Sequence, residues 1–66
     1  MTIVANGKPR EVPDGATIVD FLRVLGWSPR WVVVEHNGEA VVPSEYSKRQ
    51  LAAGDRLVIV KIVAGG

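Results

Sequence analysis

The sequence predicts an α+β fold in which a mixed sheet of four to five strands curls around one helix. Three observations carry that expectation: a single helical stretch with a clean apolar stripe, two Asn–Gly pairs set between strand-like runs, and a Val/Ile-rich run near the end of the chain. With 66 residues there is room for one small domain, expected to span 1–66. A domain of this size buries only ~60% of the surface its unfolded chain exposes, so the core must be thin.

The elements follow in order. From Thr2 to Asn6, Ile3 and Ala5 alternate with Thr2, Val4 and Asn6, the period of a short strand. Asn6-Gly7 marks a hairpin, because both residues tolerate the positive φ of a type I′ turn. Lys8 to Val12 is the returning strand, and Pro9 assigns it to a sheet edge, since proline has no N–H to give a neighbour. Pro13-Asp14-Gly15 supplies turn chemistry. Ile18, Phe21, Leu22 and Leu25 then stand at i, i+3, i+4 and i+7, one apolar stripe along a helix. Thr17 with Asp20 forms a capping-box pattern at its start. Gly26 fits the left-handed position that ends it, and Pro29 blocks its resumption.

Trp31 to Glu35 is β-branched and aromatic and reads as a third strand. Asn37-Gly38 is a second hairpin signal before a short fourth strand, Ala40 to Val42. Pro43 to Gln50 is polar and irregular, with room for one 3₁₀ turn. Ala53-Gly54-Asp55 is a turn, and Arg56 to Val63 is the most strand-like stretch of the chain. The passage through the helix is long enough to leave strands parallel. The Val/Ile content of the last strand implies burial on at least one face, so it is expected centrally, beside the first, before the chain runs off as a flexible tail at 63–66.

Composition excludes several classes. Eight Lys and Arg stand against seven Asp and Glu, a net charge of +1, and the basic residues are scattered rather than grouped as in nucleic-acid binders. There is no cysteine, hence no disulfide and no thiolate nucleophile. The single histidine, His36, has no carboxylate cluster around it and reads as a solvated loop residue, so no metal site is expected. Uninterrupted apolar runs reach about four residues, against the ~20 a membrane-crossing helix needs. The start of the chain lacks a signal-peptide pattern. The expectation is a soluble, cytoplasmic protein, monomeric when free, that binds neither nucleic acid nor membrane.

Enzyme chemistry finds little footing. No phosphate-binding loop, Ser/His/Asp set or paired acid and base is visible, and most carboxylates stand at turns or caps. Trp27 and Trp31 read as a flank of the core at the helix–strand junction, Tyr46 as a cover on one end of it, and Lys48-Arg49 as a solvated loop. The tail Val63-Ala64-Gly65-Gly66 differs. Its last two residues have no Cβ and can enter a groove that any side chain would block. Four extended residues span roughly 13 Å, enough to carry the Gly66 carboxylate into a partner's active site.

In order and total length, Val4-Ala5-Asn6-Gly7, Gly15-Ala16-Thr17 with Phe21-Leu22, Asn37-Gly38-Glu39, Val42-Pro43, Gly54-Asp55 and Val63-Ala64-Gly65-Gly66 resemble the ThiS family. These are the ubiquitin-like β-grasp sulfur carriers of thiamine biosynthesis. Ser44-Glu45 after Pro43 departs from the family's usual arginine. The resemblance implies a β-grasp roll and a protein that is a co-substrate rather than an enzyme. It implies that an E1-like adenylating enzyme of the ThiF type, holding ATP and Mg²⁺, converts the Gly66 carboxylate to an acyl adenylate. Sulfur from a persulfide donor then gives a thiocarboxylate, which passes its sulfur to a thiazole synthase of the ThiG type. This chain would bind no cofactor itself. Residues Val63, Ala64 and Gly65 would be inserted into the partner.

The last strand also presents a docking candidate. Its period of two sets Leu57 and Ile59 on one face and Val58, Val60 and Ile62 on the other. If the first pair meets the helix, the second set faces outward, joined by Val4 and Val33 from neighbouring strands. Other readings stand beside this one. A molybdenum-cofactor carrier or another β-grasp sulfur carrier would use Gly66 identically, as would a ubiquitin-type modifier before transfer to lysine. A non-covalent interaction module, akin to small RNA-associated regulatory domains, would give Gly65-Gly66 no role.

Overall fold

The structure, a computed structural model, describes residues 1–62; the tail residues Val63, Ala64, Gly65 and Gly66 lie outside the described residues. Strand β1 (Thr2–Ala5) returns through Asn6-Gly7 into β2 (Lys8–Glu11), and helix α1 spans Ile18–Leu25. A 3₁₀ turn at Pro29–Trp31 leads into β3 (Val32–His36), followed by β4 (Glu39–Val41), a second 3₁₀ turn at Pro43–Glu45, and β5 (Arg56–Lys61). The five strands form one sheet in the order β2-β1-β5-β3-β4. β5 runs parallel to β1 and antiparallel to β3, so the last strand is central and beside the first, as the sequence predicts.

Local chemistry sets these boundaries. Asn6 and Gly7 have φ of 51° and 79°, and Asn37 and Gly38 have 52° and 85°, the positive pairs a type I′ hairpin requires. Asn6 consequently belongs to the turn, and β1 ends one residue earlier than the alternation implies. At the helix start Thr17 Oγ1 accepts from the Asp20 N–H at 3.2 Å, while the Asp20 carboxylate accepts from the Thr17 N–H at 3.0 Å. At its end Gly26 takes φ 76°, and the N–H groups of Gly26 and Trp27 reach the carbonyls of Arg23 and Leu22.

The polar segment after β4 has a structural task. The N–H groups of Ile18 and Val19 lie in the first turn of α1, where no intrahelical carbonyl is available. They donate to the carbonyls of Arg49 at 3.2 Å and Tyr46 at 2.9 Å, so this segment satisfies the helix start. Tyr46 is buried, with its hydroxyl 3.4 Å from the Val32 carbonyl, in keeping with a cover on the core.

Between sheet and helix lie Ile3, Ile18, Phe21, Leu22, Val34 and Leu57, the largest fully enclosed side chains. Burying one such side chain stabilises by about 1.5–3 kcal/mol. Removing one leaves a cavity as well, so Phe21→Ala costs about 3–5 kcal/mol. That is comparable with the ~3–10 kcal/mol total expected for a chain of this length. No helix among the described residues is long and apolar enough to cross a membrane.

Two side chains depart from the sequence reading. Trp27 packs against the core, but Trp31 is 54% exposed. Ser28 and Pro29 start a 3₁₀ turn that includes Trp31, so β3 begins only at Val32 and Trp31 leaves the core flank. His36 is not a solvated loop residue. It is the last residue of β3, with a side chain only 11% exposed, and its Nε2 lies 2.7 Å from the Asp55 carboxylate.

Candidate functional site

Strand β5 organises the surface that the sequence singles out. Leu57 and Ile59 are buried toward α1, which turns Val58, Val60 and Ile62 to the opposite face. These three are 46%, 57% and 46% exposed. Val33 is directly opposite Val60 in the β3–β5 ladder and is 49% exposed. Val4 faces the same way from β1, beside Arg56, but is half-buried. The expected patch therefore exists as a strip of aliphatic side chains on the outer face, with Val4 at its margin.

The strip continues to a residue that the sequence reading placed elsewhere. Ile62 donates its N–H to the Trp31 carbonyl at 2.7 Å, which sets Trp31 beside the point where the described chain ends. A large amphipathic ring at the edge of an aliphatic surface favours protein contact. The one signal for it in the sequence is the Ser28-Pro29 pair, which starts a turn where a strand was expected.

The opposite end of β5 is fixed by polar side chains. The Asp55 carboxylate accepts from the Ala52 N–H at 2.8 Å, from Asn37 Nδ2 at 3.1 Å and from His36 Nε2 at 2.7 Å. With Nε2 donating, His36 Nδ1 is left to accept from Arg49, 3.4 Å away, and Arg49 also pairs with Glu39 at 3.6 Å. Burial acts to raise the Asp55 carboxyl, but the hydrogen bonds from His36, Ala52 and Asn37 outweigh it and hold it below the ordinary 3.8. This cluster contains no nucleophile, and its groups satisfy one another. It organises the turn into β5.

Both hairpin asparagines have a second function that turn propensity does not reveal. Asn6 exchanges two hydrogen bonds with Ile59, Nδ2 to its carbonyl at 3.1 Å and its N–H to Oδ1 at 2.8 Å. Asn37 Oδ1 accepts from the Arg56 N–H at 2.8 Å. β5 is thus gripped from both sides by carboxamides belonging to the two hairpin turns. Among the described residues no group of three or more His, Asp or Glu side chains is placed to hold a metal ion.

The chain is similar to known proteins over this whole arrangement. A family model described as the ThiS family matches residues 3–66. The fold is similar to the crystal structure of the thiamine biosynthesis protein (ThiS) from Geobacter metallireducens, with a TM-score of 0.84 and 26% identity, all of both chains being covered. An NMR structure of a thiamine biosynthesis protein from the same organism matches at 0.82 and 26% identity, covering all of this chain and 88% of that one. SAMP1 from Haloferax volcanii matches at 0.60 and 22% identity over 98% and 97% of the two chains, a likeness of fold alone. No curated protein matches the sequence.

Proposed function

The chain belongs to the ThiS family, and from that premise we propose that it carries sulfur on the Gly66 carboxylate for thiamine biosynthesis. The observation that carries this reading is continuity. The aliphatic strip of Val33, Val58, Val60 and Ile62 ends at the residue from which 63–66 continue. An enzyme that rests on the strip has the tail at hand.

The chemistry fits the composition of the chain. A free carboxylate is a poor electrophile. On a partner adenylating enzyme of the ThiF type, which supplies ATP and Mg²⁺, a Gly66 carboxylate oxygen attacks the α-phosphorus and pyrophosphate leaves. The acyl adenylate then has AMP as a good leaving group. The terminal sulfur of a persulfide displaces AMP, and reduction of the acyl disulfide by a thiol leaves the thiocarboxylate. A thiazole synthase of the ThiG type accepts that sulfur. With no cysteine of its own, the chain holds the sulfur as an acyl group. Val63, Ala64 and Gly65 serve as the thin lead into each active site, and Val4, Val33, Val58, Val60 and Ile62 as the docking face.

Mass spectrometry of the intact protein and its C-terminal peptide tests this after incubation with ATP, Mg²⁺, the adenylating enzyme and a persulfide donor. Replacement of one Gly66 oxygen by sulfur is the expected result. An unmodified Gly66, with the same enzymes active on a known carrier, would overturn the reading.

A further inference from the structure

A second surface lies on the helix side of the sheet, away from the aliphatic strip. In the β1–β2 ladder Arg10 is opposite Ile3 and Lys8 opposite Ala5. Ile3 and Ala5 face α1, so Arg10 and Lys8 extend from the edge strand on that same side. Aliphatic residues at these positions would have widened the core. Two cations instead border a cleft of about 190 Å³ whose walls include Phe21, Leu25, Trp27 and Ile59.

Aromatic rings and cations meet around this cleft. The Arg10 guanidinium is 5.8 Å from the centre of the Phe21 ring, and the Lys61 ammonium is 4.7 Å from that of Trp27. Such contacts hold the side chains in place while leaving their charge available. Among the described residues the ion pairs are Met1–Asp14, Arg23–Asp20, His36–Asp55 and Arg49–Glu39, and none involves Lys8, Arg10 or Lys61. Among the described residues, a chain with a net charge of only +1 thus has two cations without a carboxylate partner lining one half-apolar cleft and a third, Lys61, on the Trp27 ring beside it.

We infer that this cleft receives an acidic segment of the adenylating enzyme, its carboxylates meeting Lys8, Arg10 and Lys61 and an apolar side chain resting on the half-buried Leu25 and Trp27. The inference rests on the carrier reading above, because it needs an enzyme that approaches the tail. Lys61 immediately precedes Ile62, so an enzyme taking residues 63–66 comes to this end of the sheet. There it meets the aliphatic strip on one face and the cationic cleft on the other. Several clustered cations match a run of carboxylates better than a single small anion, and complementary charge of this kind sets association rate and orientation.

The test is the affinity of the full chain for its adenylating enzyme, measured by calorimetry at low and at physiological salt. Lys8→Glu and Arg10→Glu should each weaken binding about fivefold or more, and the double variant more than about twentyfold, with a shallower dependence on salt. Lys48→Glu changes the net charge equally from an exposed position in another part of the chain and should leave affinity unchanged. Lys8→Gln/Arg10→Gln, which introduces no new repulsion, should fall between wild type and the double reversal. Circular dichroism establishes that each variant is folded. Reversal variants that bind within twofold of wild type overturn the inference, and so does equal weakening by Lys48→Glu. Titration with ATP alone, followed by tryptophan fluorescence in a Trp31→Phe background so that Trp27 alone reports, is the remaining arm. Saturable binding there that is lost in the double variant would make the cleft a small-anion site and overturn the protein-docking assignment. Adenylation of wild-type Gly66 is scored in the same samples. If it is absent the carrier reading fails, whereas adenylation with unaltered variant affinity removes only the cleft.

Discussion

The two ends of β5 are built on different terms. At its start, the Asp55 carboxylate gathers Ala52, Asn37 and His36, and Asn37 holds Arg56 through both its side chain and its backbone. The backbone of β1 adds a further bond, from the Val4 N–H to the Asp55 carbonyl at 2.8 Å. At its other end the strand is less enclosed. Pairing with β1 covers Arg56 and Leu57, the Asn6 carboxamide extends it to Ile59, and beyond that β5 is bordered by β3 alone. A strand held at one end keeps its register, and a slip of one residue would exchange Leu57 and Ile59 for Val58 and Val60 on the core side. The anchored end therefore fixes which residues form the outer strip and where the tail begins.

Four experiments break or sharpen this contrast. Deleting Gly66 has the largest expected effect. Thiocarboxylate formation should be abolished in the mass-spectrometric assay while the thermal midpoint stays where it was, because the core and the strand ladders described above are built from residues 1–62. A large loss of thermal stability would contradict the division of labour. Asp55→Ala, at the anchored end, leaves His36 and Asn37 without their acceptor and should cost about 2–3 kcal/mol. For a domain of this size that lowers the midpoint by roughly 10–20 °C in a circular-dichroism melt. An unchanged midpoint would mean that the backbone ladder alone positions β5.

Val60→Asp places a charge in the middle of the outer strip. It should weaken binding to the adenylating enzyme by about tenfold, with a change in stability within about 1 kcal/mol because the site is exposed. Normal affinity in a folded variant would remove the strip from the docking face. The smallest effect is on acid stability. Because Asp55 titrates below 3.8 when folded, its contribution is complete above that value and is lost as pH falls through the lower, folded one. Asp20, lowered by its backbone and side-chain hydrogen bonds from Thr17, acts with the same sign. Stability of the wild type should thus fall with acid below about pH 4–5, and Asp55→Asn should flatten part of that fall. Identical acid profiles would show that Asp55 gains nothing from its partners.

Much of the fold was legible because its determinants are local. Thr17 with Asp20, Gly26, and the two Asn–Gly pairs fix the ends of α1 and both tight hairpins through interactions between near neighbours, and the alternation of Leu57 to Ile62 assigns the two faces of β5. The central place of β5 beside β1 followed from its Val/Ile content, which implies burial. The misplaced residues are those whose environment comes from distant parts of the chain. His36 meets Asp55 only once β3 and β5 pair, and nothing within a few residues of it signals a partner. Trp31 looks like strand by composition, yet a turn begun by Ser28 and Pro29 determines its position. The charges of Lys8 and Arg10 were read as scattered because sequence spacing does not show that Lys61 joins them. The tail shows the converse: its four residues are eloquent as sequence, while the structure defines only their point of departure at Ile62.

The two Asn–Gly turns also bear on how the protein ages. The glycine N–H in such a pair has no side chain beside it to hinder attack on the asparagine carboxamide, which closes a succinimide, releases ammonia and leaves aspartate or isoaspartate after hydrolysis. Here both carboxamides are engaged, Asn6 with Ile59 and Asn37 with Arg56 and Asp55. Deamidation at Asn6 would replace a donor facing the Ile59 carbonyl with a carboxylate oxygen, and at Asn37 it would bring a second negative charge against Asp55. The native state thus shelters the two carboxamides whose loss would loosen β5, and the rate at which these asparagines deamidate becomes a clock for how often that strand comes free.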